Sequence, residues 1–245
     1  MSTKIEILSI PVCNVDMEEA KSSILAYMED GTAHIVATAN AEMIMLAQKD
    51  DELAHILRNA DMVVPDGAGV LWAAEQQGQA FKERVAGYDL AKVMLAESAT
   101  RGFSVYLFGG GDGIAEQAAR KCQDIYGKIN IAGFHSGFFS SAEEKNIIGA
   151  IRDSGAKLVL VALGVPKQEK WIAAHLQEMG ACTCIGVGGT LDILAGKVTR
   201  APEWMQRNRL EWLYRLGKEP SRFIRMLALP HFVWKVWCSL RDRNR

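Results

Sequence analysis

The sequence lacks the features of a secreted, disulfide-stabilised or metal-binding chain. Only five cysteines occur among its 245 residues and none forms a C-x-x-C pair, so a reducing cytosol fits the chain better than a disulfide framework. Cys182 and Cys184 would share one face of an apolar strand, where core packing is favoured over metal binding. The opening stretch MSTKIEILSI does not have the pattern of a signal peptide. We therefore expect a cytoplasmic protein.

Several catalytic and cofactor motifs are also absent. The sequence contains no P-loop and no G-x-S-x-G, and no Cys/His pair has the context of a nucleophile. It contains no Asp-x-Asp pair, the usual carboxylate handle for a nucleotide-bound divalent cation. The stretch FGGGDG is not the dinucleotide fingerprint, which would need a glycine in place of Ile114. We therefore expect no metal and no cofactor, and an NAD-dependent oxidoreductase is disfavoured.

The chain does have the alternation of segments that is typical of an α/β protein. Its composition, 49% hydrophobic and 23% charged, allows a large core. Apolar, β-branched runs such as HIVATA, SVYLF and KLVLVAL alternate with segments of helical periodicity. This pattern predicts an α/β fold in which a mostly parallel sheet has helices on both faces. We assign this core to residues 1–195 and a helical appendage to residues 196–245.

Polar or glycine-rich turns follow several of the predicted strands. In DMVVPDGAGV, Pro65 ends an apolar run, and Asp66 then precedes Gly67 and a predicted helix. The carboxyl ends of parallel strands meet at one edge of a sheet, and open α/β sheets bind their ligands there. Asp66 is therefore the best-placed general base in the chain. The alternative is an aspartate that only caps the following helix.

Two further turns at this edge supply candidates for substrate binding. FGGGDG places Gly109 and Gly110 between a strand and a helix, where they could bind a phosphate through backbone N–H groups or form a tight turn without a ligand. LGVPKQEKWI ends a strand at Gly164. The helix that follows displays three polar side chains at its start: Lys167, Gln168 and Glu169. A lysine there opposes the helix dipole, which indicates either an anionic ligand or a solvated side chain.

Three other turns add polar candidates. Thr38 and Asn40 in TANAEM could bind sugar hydroxyls or cap the helix that begins near Glu42. Arg84 in RVAGYDL could pair with a carboxylate or with a phosphate. The turn GVGGTLD adds Asp192. If a diphosphate leaves at this site, arginine, lysine and helix N-termini would have to stabilise its charge.

Residues 200–245 differ from the rest of the chain. They carry 11 Lys/Arg against 4 Asp/Glu, a net charge of +7, and they hold four of the six tryptophans. Two amphipathic helical segments are predicted, and their apolar stretch is too short and too interrupted to span a bilayer. Tryptophan and arginine together favour binding to an anionic membrane surface. The alternatives are packing against the body and self-association into a homo-oligomer off the membrane.

Taken together, these stretches resemble the WecG/TagA/CpsF family of bacterial glycosyltransferases. The resemblance runs from HIVATANAEM through VPDGAGV, RVAGYDL and VALGVPKQEKWI to GVGGTLDILAGKVTRAPEWMQRNRLEWLYRLGKEP. It implies a Rossmann-like fold and a metal-independent, inverting transfer of N-acetylmannosamine, or its uronic acid, from UDP. The implied acceptor is N-acetylglucosamine linked through diphosphate to undecaprenol, in the β-1,4 synthesis of a cell-surface polysaccharide such as teichoic acid. The implied location is peripheral, on the inner face of the cell membrane.

The resemblance also implies roles for individual residues. Asp66 matches the proposed catalytic base of the family, and Thr38, Asn40, Arg84 and Gln168 match positions around it. Three arginines of LYRLGKEPSRFIR match an appendage thought to close over the site at the membrane: Arg215, Arg222 and Arg225. The loop FGGGDG departs from the family by being richer in glycine.

A different function class remains open at the level of sequence. A soluble nucleotide-sugar-binding module without transferase activity is the main alternative, and such a module would not need residues 200–245. Nucleic-acid binding is disfavoured because the basic region is also the most apolar one. The sequence leaves the donor open between N-acetylmannosamine and its uronic acid, since it identifies no cation for a carboxylate at C6.

Overall fold

The structure is a computed structural model that describes residues 3–208, 210–218 and 227–243. Its strands in chain order are β1 (Lys4–Ile7), β2 (Ile10–Cys13), β3 (His34–Ala39), β4 (Met62–Pro65), β5 (Ser104–Gly109), β6 (Asn130–His135), β7 (Leu158–Ala162) and β8 (Thr183–Gly186). Its helices are α1 (Met17–Glu29), α2 (Ala41–Ala47), α3 (Asp51–Asn59), α4 (Ala68–Gln76), α5 (Gly87–Arg101), α6 (Ile114–Tyr126), α7 (Ser141–Asp153), α8 (Lys167–His175), α9 (Thr190–Leu194), α10 (Glu203–Arg207), α11 (Glu211–Lys218) and α12 (Ala228–Arg243).

The centre of the molecule is a parallel sheet in which β4, β3, β8, β7, β5 and β6 lie side by side in that order. Each neighbouring pair is parallel, and β1 and β2 form a separate antiparallel hairpin. Strands β3, β4, β7 and β8 are buried along their whole length, as expected for a sheet that is covered on both sides. The mostly parallel α/β sheet predicted from the sequence is confirmed.

Two apolar cores cover the two faces of the sheet. Because successive side chains of a strand point to opposite faces, Val159 and Val161 of β7 enter one core, and Leu158 and Leu160 enter the other. The first core also contains side chains of α2, α3, α4, α7, α8 and α12. The second contains side chains of α1, α5, α6 and α9. Helices therefore lie on both faces, as predicted.

Local capping signals explain where two of the long helices begin. Asp16 accepts a hydrogen bond from the backbone N–H of Glu19, whose side chain binds the Asp16 N–H in return, and α1 starts after this capping box. Ser140 and Glu143 form the same arrangement before α7. Both boxes satisfy backbone N–H groups that a helix leaves unpaired at its first turn.

The thiols of the apolar run CTCIGVG lie inside the first core. The Sγ atoms of Cys182 and Cys184 are 3.7 Å apart, and both residues are free and buried. Their common face was predicted from the spacing of two residues along one strand. Both side chains pack in this core.

Helix α12 packs on α2 and α4 through one side only. Phe232 and Val236 are completely buried in the first core, whereas Trp234 and Trp237 on the other side are 68% and 54% exposed. The helix is therefore amphipathic, as the sequence predicts for this part of the chain. Among the described residues, the structure contains no helix with the length and apolar character needed to cross a membrane.

Candidate active site

A cavity of about 270 Å³ lies at the carboxyl ends of β3, β4, β7 and β8. This is the edge at which open α/β sheets bind ligands. Its described wall contains Thr38, Asn40, Ala41, Glu42, Asp66, Gly67, Ala68, Gly69, Arg84, Gly164, Val165, Gln168, Val187, Gly188, Gly189, Glu211, Trp212, Ala228 and Leu229. The structure thus brings together six of the residues singled out in the sequence: Thr38, Asn40, Asp66, Arg84, Gly164 and Gln168.

Asp66 is fixed by its own backbone at the end of β4. The N–H groups of Asp66 and Gly67 both donate to the carbonyl oxygen of Ala39, at 2.9 and 3.2 Å, so the ends of β3 and β4 are joined. Gly67 is the N-cap of α4, which leaves the Asp66 side chain on the cavity wall. A Cβ atom on Gly67 would lie 2.9 Å from the Asn40 Cβ, so the close approach of the two turns requires a glycine at this position.

Thr38 and Asn40 each have a structural partner. The Thr38 hydroxyl donates to the carbonyl oxygen of Gly186 at 3.0 Å and joins β3 to β8. The Asn40 side chain accepts from the Met43 N–H at 2.9 Å and caps α2. The capping role that the sequence left open for Asn40 is therefore present. Both residues also contribute to the cavity wall.

Arg84 connects the turn after β4 to the C-terminal part of the chain. Its Nε donates to the Asp66 carbonyl oxygen at 2.5 Å, and its Nη2 donates to Glu211 Oε2 at 2.9 Å. The same Nη2 lies 3.6 Å from Asp66 Oδ1. The guanidinium is therefore held between two carboxylates, one at the sheet edge and one on α11.

A second arginine, Arg200, was not among the residues proposed from the sequence. It forms a bidentate pair with Asp89 in the first turn of α5, at 2.5 and 2.7 Å, and lies over the Tyr88 ring. Burial opposes the charge of Arg200, but the hydrogen bonds and charge of Asp89 and the charge of Glu211 outweigh it, so the pKa of its guanidinium is raised. Arg200 lies in VTRAPEW at the start of the basic segment 200–245, and neither that segment nor the family resemblance singled it out.

Asp66, Arg84, Arg200 and Glu211 also line a smaller polar hollow of about 40 Å³ next to the main cavity. Glu211 connects the two arginines, because its Oε1 lies 3.7 Å from Arg200 Nε. Its location could not be inferred from sequence, since the contacts between Glu211 and Arg84 join residues 127 positions apart. The hollow extends the charged part of the site towards the start of α5.

Gln168 and Glu169 are buried, with 1% of each residue exposed. The expectation that the start of α8 displays its polar side chains is correct for Lys167, which is exposed, and wrong for these two. Gln168 Oε1 accepts from the N–H groups of Gly164 and Gly188 at 3.2 and 3.0 Å, and its Nε2 donates to Glu169 Oε1 at 2.7 Å. Gln168 thus holds the turns after β7 and β8 together below the cavity.

The buried carboxyl of Glu169 should make the stability of the protein depend on pH. Burial raises its pKa from 4.5 to about 7. Because the pKa of Glu169 is higher in the folded than in the unfolded protein, its protonated carboxyl stabilises the fold. This stabilisation is fully present below about pH 4.5 and is lost as the pH rises through 7. Relative to the low-pH state, we expect the free energy of unfolding to fall by roughly 2–3 kcal/mol between about pH 5 and pH 8.

Urea unfolding of the wild type and of Glu169→Gln across this pH range isolates the contribution. The amide cannot ionise, so the difference in unfolding free energy between the two proteins should change by that amount as the pH rises. Glu116→Gln makes the same chemical change at an exposed position on α6 and serves as the control. Parallel curves for wild type and Glu169→Gln would show that Glu169 does not titrate in this range.

The remaining predicted residues lie away from the described wall of the cavity. These are Gly109, Gly110, Lys167, Glu169 and Asp192. Gly109 has φ +122°, and a Cβ there would lie 2.3 Å from the Ala162 carbonyl oxygen, so the contact between β5 and β7 accounts for this glycine. Lys167 Nζ lies 4.9 Å from the centre of the Phe139 ring. Asp192 lies on α9, where its carbonyl oxygen accepts from the N–H groups of Lys197 and Val198.

The three arginines proposed for the appendage cannot be placed against the cavity. Arg215 belongs to α11, but its side chain lies outside the described part of the structure. Arg222 and Arg225 lie outside the described residues altogether. Within the described ranges, there is also no group of three or more His, Cys, Asp or Glu side chains arranged to hold a metal ion.

Comparison with known sequences identifies the class of protein to which this site belongs. Residues 5–245 match the Glycosyl transferase WecG/TagA/CpsF family. The chain belongs to this family. The resemblance drawn from the sequence motifs is therefore confirmed, and with it membership of a glycosyltransferase class.

Two proteins of similar sequence carry the same name, N-acetylglucosaminyldiphosphoundecaprenol N-acetyl-beta-D-mannosaminyltransferase. The one from Bacillus subtilis (strain 168) is 31% identical over 211 residues, which is 86% of this chain and 81% of the relative. The one from Bacillus spizizenii (strain ATCC 23059 / NRRL B-14472 / W23) is 30% identical over 210 residues, with the same coverage of both chains. The similarity therefore extends over most of the glycosyltransferase chain.

Proposed function

We propose that this glycosyltransferase transfers N-acetylmannosamine, or its uronic acid, from UDP to N-acetylglucosamine linked through diphosphate to undecaprenol. The observation that carries the proposal is the Asp66–Arg84 pair on the wall of the cavity. This pair supports the proposal because a carboxylate can take the proton of a sugar hydroxyl and a neighbouring cation can stabilise a leaving diphosphate. The names of the two Bacillus relatives support the choice of acceptor.

In the proposed reaction Asp66 is the general base. Its carboxylate takes the proton of the acceptor's C4 hydroxyl as that oxygen attacks the anomeric carbon of the donor sugar. The new bond between oxygen and carbon forms as the bond to UDP breaks, and the electron pair of the broken bond leaves with the β-phosphate. One displacement inverts the anomeric centre, giving a β-1,4 linkage, and it needs one base rather than the paired carboxylates of glycoside hydrolases.

The charge that develops on UDP would be stabilised by Arg84. Arginine is suited to this role because its planar donors match phosphate oxygens. Thr38 and Asn40 would orient the sugars, while Gln168 keeps Gly164 and Gly188 in place at the cavity floor. The candidates outside the described cavity wall have no role in this proposal.

We further propose that residues 196–245 form an appendage that brings the cavity to the membrane. An undecaprenyl acceptor stays in the bilayer, so the enzyme has to bind at its surface. Helix α12 contributes Ala228 and Leu229 to the cavity wall and presents Trp234 and Trp237 outward. Exposed tryptophans on an amphipathic helix favour the interface of a membrane. The protein would then be peripheral on the inner face of the cell membrane.

Release of UDP tests the proposed reaction. The assay combines the full chain and UDP-N-acetylmannosamine with a lipid-diphosphate N-acetylglucosamine acceptor in detergent or vesicles. UDP should be released only when the acceptor is present, and mass spectrometry should find one added sugar on the lipid. UDP-N-acetylglucosamine, the C2 epimer, is the control donor, and UDP-N-acetylmannosaminuronic acid distinguishes the two donor sugars. Binding of these donors without release of UDP would favour a nucleotide-sugar-binding module instead.

A further inference from the structure

Glu211 is an unusual residue to find beside a general base. It is the first residue of α11, and 8% of its side chain is exposed. A buried carboxylate is unfavourable unless it is paired with good geometry. Here Oε2 accepts from Arg84 at 2.9 Å, and Oε1 lies 3.7 Å from Arg200. Both arginines are in turn held by the body of the protein, through the Asp66 carbonyl oxygen and through Asp89.

The distances rank the two carboxylates that compete for Arg84. Nη2 is within hydrogen-bonding distance of Glu211, at 2.9 Å, whereas Asp66 Oδ1 lies at 3.6 Å from the same nitrogen. A carboxylate held directly by arginine in a bidentate pair is a weaker base, because the cation favours its charged form. At 3.6 Å, the ion pair between Arg84 Nη2 and Asp66 Oδ1 is longer than a hydrogen bond.

We propose that Glu211 is a positioning residue, which draws Arg84 away from the Asp66 carboxylate and offsets the arginine's charge. The inference rests on the proposed function, in which Asp66 is the base. Because Glu211 is carried by α11, the base would reach its full strength only when the C-terminal segment is docked on the sheet. Among the described residues, the charged groups that line the site around Asp66 and enter this balance are Glu42 of α2, Arg84, Arg200 and Glu211.

The pH dependence of kcat/KM distinguishes positioning from a structural role. Glu211→Gln leaves Asp66 as the acidic partner of Arg84 within the described part of the chain. The acid limb of the profile should therefore move down by about one pH unit. The plateau should fall by about threefold to tenfold, since a weaker base transfers protons less efficiently. Glu211→Asp keeps the charge and should return the limb towards its wild-type position. Glu203→Gln removes an exposed carboxylate from α10 and is the matched control.

A second measurement does not depend on turnover. The side-chain carboxyl carbon of Asp66 can be followed by NMR in protein labelled at aspartate, and its signal is assigned by its loss in Asp66→Asn. The titration midpoint should be lower in Glu211→Gln than in wild type, by about the same one unit, and unchanged in Glu203→Gln. Limited proteolysis reports whether α11 stays docked in each variant.

The outcomes separate this inference from the proposed function. A midpoint and an acid limb that both stay in place in a docked Glu211→Gln protein would overturn the inference and leave Glu211 as an anchor for α11. A shifted midpoint together with full transfer by Asp66→Asn would support the positioning of Arg84 while removing Asp66 as the base. A shifted midpoint and a shifted limb support both.

Discussion

Asp66→Asn should lose sugar transfer almost completely while keeping the fold. Asparagine has the size of aspartate but cannot accept the proton of the acceptor hydroxyl, so we expect turnover to fall by on the order of 100-fold to 10,000-fold. The backbone N–H of residue 66 would still donate to the Ala39 carbonyl oxygen, and Gly67 would still be the N-cap of α4. Stability should therefore change little.

The measurement is UDP release with the lipid acceptor, accompanied by thermal unfolding and by binding of the donor. Binding of the UDP-sugar should persist, because Arg84 would still form its hydrogen bonds to the carbonyl oxygen of residue 66 and to Glu211. Asp153→Asn makes the same change at an exposed site at the end of α7 and should transfer sugar at the wild-type rate. If Asp66→Asn transfers sugar nearly as fast as wild type, the catalytic role proposed for this residue is wrong.

Phe232→Ala should release α12 from the body of the protein. Phe232 is completely buried, and its ring lies 3.7 Å from the position that a Cβ atom would take on Gly69 of α4. Truncation of a buried phenylalanine costs about 3–5 kcal/mol, which is large for a helix that is held mainly by one apolar side. Sugar transfer to the lipid acceptor should fall when α12 is released, because Ala228 and Leu229 of this helix belong to the cavity wall.

Trp234→Ala provides a matched comparison two residues along the same helix. Because Trp234 is 68% exposed, its loss should change the free energy of unfolding by no more than about 0.5 kcal/mol. It should instead weaken binding to anionic vesicles, measured by sedimentation. Proteolysis within α12 should accelerate in Phe232→Ala and not in Trp234→Ala. Faster proteolysis in Trp234→Ala but not in Phe232→Ala would mean that the buried face of α12 does not hold the helix on the body of the protein.

The sheet and the location of the site were accessible from the sequence because their causes are local. Apolar runs that end in Pro-Asp-Gly or in glycine-rich turns are strand ends whatever the rest of the chain does, and parallel strands place those ends at one edge. Asp66 and Gly164 could therefore be placed at this edge from the sequence, whereas Arg84 was expected only in a loop ahead of a helix. Gly109 satisfied the same pattern, yet the close approach of Ala162 accounts for it.

The parts that sequence reasoning missed depend on contacts between distant segments. Arg200 meets Asp89 across 111 positions, and no spacing rule relates the two. Gln168 and Glu169 look solvent-exposed in sequence, because charged and polar residues at a helix start usually are. They are buried because Gly186 at the end of β8 leaves space for them, as a Cβ atom there would lie 2.7 Å from Gln168 Nε2.

The amphipathic character of α12 bears on which acceptor sugar the enzyme can reach. Its first turn, at Leu229, borders the cavity, and Trp237 lies about 12 Å farther along the helix axis at a rise of about 1.5 Å per residue. On the proposed function, α12 would lie in the plane of the bilayer interface, with its tryptophans among the lipid headgroups, and would hold the cavity close to the lipid surface. Such a placement would favour the acceptor sugar nearest the diphosphate over one at the end of a longer glycan.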